Sequence, residues 1–451
     1  MIDLATRLDP RRAPAAVLLL APPVLLVLFV GLTSETTRLI FAGDLAVYRR
    51  YGLQLLAGSI PYRDFGVEYP PLALVPMTLP LLAPPPGGID DLAYIWRFTL
   101  MEGALAVAAG WVLYEATARS RSTLVVWAVM VGLAWASVAL RYDLWAVLCV
   151  LVAVVLVERR PGAAGVALGL GTMLKLYPIA LLPVLGVYVL ARRDVAGSVR
   201  LLVGCASVVV LVMAAAWAAA GPASLGWLLY QQDRGLQIES LGAGLLLGLH
   251  ALAGQPVDVA NGFGSMQVRA PGSDVLVAAS PVVLAVLLGA VIALAALRFR
   301  RDCARLGRVP RSSLALACAA AIAVLLVGSK VLSVQYVIWL LPFVVLLPPR
   351  AGWMLVAVTA LSTAIYTIGY PALLRLETPM IVALLVRNVL LAVIAAWLLV
   401  EMWPRTSRLG GYPSPEPGGR PEPRPSPGRR PRPESHETRS PAPARDPRRP
   451  G

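Results

Sequence analysis

Asp44, in the stretch FAGDLAVY, is a carboxylate about a dozen residues beyond the first long apolar run, wet but close to a bilayer about 30 Å thick in its core. A general base must approach the proton it removes, and a carboxylate so placed can take one from a sugar or lipid hydroxyl. The position equally suits a helix N-cap, because aspartate is favoured there and LAVYRRYGLQLL is an amphipathic helical candidate. The chain has two lysines, Lys175 in GTMLKLYP and Lys330 in VGSKVLSVQ, both at the ends of apolar runs. An ammonium near hydrocarbon needs a counter-charge, a route to the interface or an anionic ligand. With Arg141 of LRYDLW and Arg234 of RGLQIES, the lysines can form an electropositive basin. Arginine binds phosphate oxygens bidentately while lysine acts as a compact charge, so the mixture suits a phosphodiester.

Other polar residues gather in the same stretches. SIPYRDFGVEYPPL combines Tyr62, Asp64, Glu68 and Tyr69 with prolines that halt a helix, and acids beside aromatics suit a sugar surface. Tyrosines also anchor membrane interfaces without binding anything. In RGLQIES, Arg234 and Gln237 are spaced to share a helical face, with Glu239 turned elsewhere. Gln237 and Glu239 can hold sugar hydroxyls or clasp a loop. His250, alone in a short apolar stretch, reads as structural. HExxH, paired histidines and DxD are absent from these segments, so no metal or other cofactor is expected.

The elements that position these groups follow from composition. With 58% hydrophobic and 14% charged residues, the chain has too little polar surface to cover itself in water. Apolar runs long enough to cross a bilayer recur without period-two alternation, which predicts an all-α polytopic membrane protein. Spans are expected at about 14–33, 92–116, 123–140, 143–158, 163–175, 176–191, 198–219, 275–297, 313–330, 334–348, 353–371 and 380–400, roughly twelve crossings. Pro70 to Pro86 and Leu241 to Gly254 are short or proline-rich and are expected to be re-entrant or interfacial. Residues 1–13 are then a cytoplasmic N-terminus, 14–402 the membrane domain and 403–451 a disordered cytoplasmic tail. The basic loops, including Arg298 to Arg311, fall on the cytoplasmic side, while the long segments 34–91 and 221–274 are exported. The net charge of +15 is therefore topology and lipid contact, not a nucleic-acid footprint. The Pro- and Arg-rich tail is either an electrostatic contact with anionic lipid or a partner, or a dispensable extension. The cysteines lack disulfide or metal spacing.

The ordered set GDLAVYRRY, GSIPYRDFGVEYPPL, LRYDLW, MLKLYPIALLP, RGLQIES and KVLSVQYVIWLLP resembles the polyprenyl-phosphate-sugar-dependent membrane glycosyltransferases of the GT-C superfamily. It looks most like glycosyltransferase family 87, the mannosyltransferase-like group, over most of Phe41 to Pro348. The resemblance implies a polyprenyl-phosphate hexose donor, such as the mannose form, and a lipid or glycan acceptor. It further implies inverting transfer on the non-cytoplasmic face of the cell membrane. Asp44 matches the family's first-loop aspartate and would be the general base. Arg141, Lys175, Arg234 and Lys330 occupy motif positions suited to the donor phosphate. Asp143, Gln237, Glu239 and Gln335 are further candidates for sugar or acceptor contact.

Two other classes use the same residues. A flippase or transporter of a lipid-linked sugar would guide the headgroup across without forming a bond, against which stand one-sided motifs and the lack of an evident repeat. Glu102 and Arg387, charges set well within spans, would then line a path, or else pair structurally. A scaffold for envelope assembly would tolerate loss of Asp44 and both lysines.

Overall fold

The computed structural model describes residues 43–83, 88–347 and 349–403. The expected cytoplasmic N-terminus, the first span and nearly all of the tail lie outside the described residues. Helix α1 (Asp44–Leu56) and a short proline-bounded segment, Pro71–Leu81, open the chain. Then follow α2 (Asp91–Ala116), α3 (Arg121–Leu133), α4 (Trp135–Leu140), α5 (Asp143–Leu156), α6 (Pro161–Leu174) and α7 (Leu182–Ala191). After α8 (Val195–Ala220) and α9 (Gly226–Asp233) come α10 (Leu241–Ala253) and the strands β1 (Asp258–Gly262) and β2 (Ser265–Arg269). The chain continues with α11 (Ser273–Leu306), α12 (Arg311–Gly328), tight 3₁₀ turns over Val334–Leu346, α13 (Pro349–Ala364), and, past a π-turn, α14 (Tyr370–Leu374) and α15 (Thr378–Met402).

Among the described residues, six helices are long and apolar enough to cross a membrane: Asp91–Ala116, Val195–Asp233, Ser273–Leu306, Arg311–Gly328, Arg350–Leu374 and Thr378–Met402. Other expected spans fall on shorter apolar helices, including Arg121–Leu133, Asp143–Leu156, Pro161–Leu174, Tyr177–Ala191 and Val334–Val345. The run at 123–140 is broken at Ala134, whose ψ of 15° leaves the helical region. The stretch from Leu241 to Gly254, expected to be re-entrant or interfacial, holds a single 13-residue helix, Leu241–Ala253, too short to cross unaided.

The all-α expectation needs one amendment. β1 and β2 form an antiparallel hairpin with Gly262 opposite Ser265, leaving Phe263 and Gly264 as a two-residue turn. Both have positive φ, 50° and 63°, the geometry that matches the twist of the flanking strands. In β2 the apolar Met266 and Val268 alternate with the polar Ser265, Gln267 and Arg269, a period-two signal too brief to register against the long apolar runs.

In lipid the apolar surfaces of helices gain little by leaving solvent, so close packing decides which helices meet. Between α6 and α8 the backbones touch through glycine: a Cβ on Gly165 would collide with Leu201 O, and one on Gly169 would lie 2.8 Å from Cys205 O. Gly165→Ala is expected to destabilise the protein by about 1–3 kcal/mol, because backbone cannot give way as a side chain can. Gly186, with nothing within 4 Å of its Cβ position, is the control. Thermal unfolding in detergent should separate the two; equal melting temperatures would refute this account of the α6–α8 contact.

Charges within the bundle are placed differently from expectation. Glu102 and Arg387 are both wholly buried but do not pair. Arg387 donates from Nη2 to Glu239 O at 3.0 Å, because α15 packs against the start of α10 and not against α2 at that level.

Candidate active site

The first constellation joins α1 to the α4–α5 break. Gly43, not Asp44, is the N-cap of α1, and Asp44 is its first helical residue, with no side-chain capping bond. The N-cap reading therefore fails. The carboxylate instead turns outward, where Oδ2 meets Nη1 of Arg141 in an ion pair. Arg141 can reach it because it ends α4 in an extended conformation, φ −135° and ψ 141°. Its other terminal nitrogen, Nη2, donates to the Tyr366 hydroxyl at 2.9 Å. Arg141 is buried, whereas the Asp44 side chain keeps 32% of its surface, enough to meet a substrate hydroxyl.

The second constellation fixes Lys175. This residue ends α6, and its Nζ donates to Asp143 Oδ2 at 2.6 Å. The Trp339 indole donates to Asp143 Oδ1 at 2.6 Å. Trp339 is in turn stacked between Tyr177 and Tyr336, with ring centroids 4.1 and 4.2 Å away. The Lys175 ammonium also lies 4.7 Å from the Tyr142 ring centroid, a desolvated cation–π contact. Lys175 thus has, in Asp143, the counter-charge that an ammonium near hydrocarbon needs. Asp143 is wholly buried with both oxygens engaged, so it holds Lys175 and is not itself placed to touch a sugar.

The third constellation is built on main chain. Residues 236–238 run beside the hairpin: Ile238 N donates to Met266 O at 3.0 Å and Val268 N to Leu236 O at 2.8 Å. On their other edge Gln237 N donates to Lys330 O at 3.0 Å. The shared helical face expected for Arg234 and Gln237 is therefore overturned. In extended chain the side chains alternate, so Gln237 and Glu239 fall together and Gln237 Nε2 donates to Glu239 Oε2 at 2.7 Å. Burial raises the Glu239 carboxyl above the usual range, against the lowering effect of the Arg387 charge. Lys330 Nζ donates to Gln232 O at 2.6 Å, and Arg234 Nη1 to Gln231 Oε1 at 3.4 Å. Partial burial and the neighbouring Arg234 charge lower the Lys330 pKa. Among the described residues, Arg141 and Lys175 are ion-paired, whereas Arg234 and Lys330 are not.

A cavity of about 1170 Å³ connects these groups. Asp44, Glu68, Tyr69, Arg141, Lys175, Arg234, Gln237, Glu239, Lys330 and Gln335 line it. Tyr62 and Asp143 do not; Tyr62 stands behind Tyr69, donating its hydroxyl to Tyr69 O at 2.8 Å. Glu68 is held through its main chain, which accepts from Gln231 Nε2 at 3.1 Å, and Gln335 accepts from the Ser333 hydroxyl. The cavity borders all three hydrophobic clusters of the described fold, through Tyr142, Trp339 and Tyr370 among others. Leu176, Ile179, Pro281, Leu284 and Leu325 add apolar surface to its wall. The tyrosines 48, 142, 336, 366 and 370 were missed in the sequence. Two had a local signal, since Tyr48 is one helical turn from Asp44 and Tyr142 lies inside RYD.

Among the described residues no group of three or more His, Cys, Asp or Glu side chains is arranged to hold a metal ion.

A family model described as "Glycosyltransferase family 87" matches residues 68–328. The chain belongs to glycosyltransferase family 87. It is thus a membrane glycosyltransferase, and its apolar helices belong to a family that works in membranes. The match to family 87 takes in Glu68, Arg141, Asp143, Lys175, Arg234, Gln237 and Glu239, while Asp44, Lys330 and Gln335 lie outside it. No curated protein and no solved structure matches the chain.

Proposed function

We propose that this family 87 enzyme transfers a hexose, mannose being the expected one, from a polyprenyl-phosphate donor to a hydroxyl of a lipid or glycan acceptor on the non-cytoplasmic face. One observation carries the reading: the partly exposed Asp44 carboxylate shares a cavity with Arg234 and Lys330, two cations that form no ion pair among the described residues, and with apolar wall residues suited to a lipid chain. In this mechanism the oxygen of Asp44 not facing Arg141 takes the acceptor proton. The acceptor oxygen then attacks the anomeric carbon with inversion. The bond from that carbon to the phosphate oxygen breaks, and the polyprenyl phosphate keeps the electron pair, its charge met by Arg234 and Lys330. Arg141 orients the base, and Lys175, held by Asp143, adds positive potential. Gln237, Glu239, Glu68, Tyr69 and Gln335 offer hydrogen bonds to sugar and acceptor hydroxyls. No metal or other cofactor enters the scheme.

The accompanying topology has roughly twelve crossings, with shorter helices such as α3 and α4 combining into one, and both termini cytoplasmic. Residues 14–402 are then the catalytic membrane domain and 403–451 a separate tail.

The test is transfer of labelled hexose from a polyprenyl-phosphate donor by the purified protein in lipid. Translocation of the lipid-linked sugar without a new glycosidic product would overturn the reading in favour of a flippase. A pH profile tests the phosphate site. Because the Lys330 pKa is lowered, its ammonium is lost as pH rises through a value below that of ordinary lysine, so the donor KM should climb early on the alkaline side. Lys330→Arg keeps the charge and should extend the plateau to higher pH; an unchanged alkaline limb would remove Lys330 from the phosphate site.

A further inference from the structure

Tyr142 lies between the two ion pairs of the cavity. Its chain neighbours are Arg141, bound to Asp44, and Asp143, bound to Lys175, so the backbone of one tripeptide sets all three side chains. The residue is wholly buried, and its ring is fixed from several sides. Tyr48 meets it edge-on with centroids 5.5 Å apart, Tyr69 does so at 5.6 Å, and the Lys175 ammonium stands 4.7 Å from its centroid. Yet the phenolic oxygen, also buried, has no hydrogen-bond partner among the described residues, although the residue forms part of the cavity wall. A buried hydroxyl left without a partner costs about 1–3 kcal/mol, and native structures keep few of them unless a ligand or water completes the bond.

We infer that the Tyr142 hydroxyl recognises one hydroxyl of the transferred sugar and thereby sets which hexose is accepted. The inference rests on the proposed function. If the phosphate lies at Arg234 and Lys330 and the attacking oxygen at Asp44, the sugar ring must occupy the space between them, along the wall that holds Tyr142. A phosphate oxygen is the less fitting partner, because the cations free to meet it belong to the 234 and 330 segments. A site built to hydrogen-bond a substrate hydroxyl discriminates strongly against an analogue lacking it, since the protein group is then stranded.

The experiment compares wild type and Tyr142→Phe against a set of polyprenyl-phosphate donors, each lacking one sugar hydroxyl. The variant keeps the ring, its tyrosine contacts and the face beneath Lys175. It loses no hydrogen bond among the described residues, so its melting temperature should match or slightly exceed that of wild type. With the full donor, kcat/KM should fall about 10- to 100-fold. Wild type should suffer a similar loss with one particular deoxy donor, and the variant should show no further loss with that donor alone. Equal activity of variant and wild type with the full donor would overturn the assignment of Tyr142 while leaving the proposed function standing. So would a uniform loss across all donors, or a lowered melting temperature, either of which marks a packing role. Failure of wild type to transfer from any such donor would overturn the reading of the whole site and this inference with it.

Discussion

Asp44→Asn is expected to lower kcat by about 10²- to 10⁴-fold while changing the donor KM only a few-fold. The substitution removes the oxygen that can accept a proton but keeps the size and one carbonyl oxygen to face Arg141. Donor affinity should survive because the unpaired cations, Arg234 and Lys330, belong to other segments of the wall. A stability effect must be separated from the chemical one, since Arg141 is buried and loses its counter-charge. That effect should stay below the loss for a fully buried pair, because the Asp44 side chain is about one-third exposed and the asparagine carbonyl and Tyr366 can still accept from the guanidinium. Turnover and melting temperature measured on the same preparation decide the matter. Turnover within a few-fold of wild type would exclude Asp44 as the base, and a collapse in melting temperature would make it a structural counter-ion.

The second large effect concerns the Lys175–Asp143 pair. Asp143→Ala should destabilise the protein by about 3–5 kcal/mol, because it strands a mostly buried ammonium and leaves the Trp339 indole without its acceptor. The double variant Asp143→Ala with Lys175→Met removes the stranded charge as well and should recover a substantial part of that loss. Its activity should stay low, since the positive charge in the cavity wall is gone. The measurement is thermal unfolding of the two variants and of Lys175→Met alone. Additive losses in the double variant would show that the two side chains are not coupled and would leave the short Nζ to Oδ2 contact without energetic meaning.

Much of the helical framework was legible because lipid imposes length and apolarity on each crossing. The runs at 92–116, 198–219, 313–330 and 380–400 fall within or on α2, α8, α12 and α15 to a few residues. The interruption at Ala134 was not legible, since alanine carries no breaking signal of its own. Nor was the hairpin, whose few alternating residues sit in a segment that reads as loop. Within the site, ten of the twelve candidate residues, from Asp44 to Gln335, reach one cavity. What sequence left open was who faces whom. Asp143 meets Lys175 across 32 residues and Trp339 across 196, and Arg141 meets Tyr366 across 225. Such pairings depend on the stacking of whole helices. For the same reason Asp143, chemically plausible as a sugar ligand, turned out to be the support of a cation, and Arg387 found a carbonyl in place of Glu102.

The small sheet formed by the hairpin, residues 236–238 and the carbonyl of Lys330 has a mechanical consequence. It ties Arg234 and Gln237, from one segment, and Lys330, from another, to one stiff plate held by main-chain bonds and by the packing of Leu236, Ile238 and Val268. Shifts of the long helices in response to bilayer thickness or lateral pressure should then carry these groups together, preserving their mutual spacing while altering their distance from Asp44. In such an arrangement the lipid composition of the host membrane acts as a tuning control on the gap that sugar transfer has to cross.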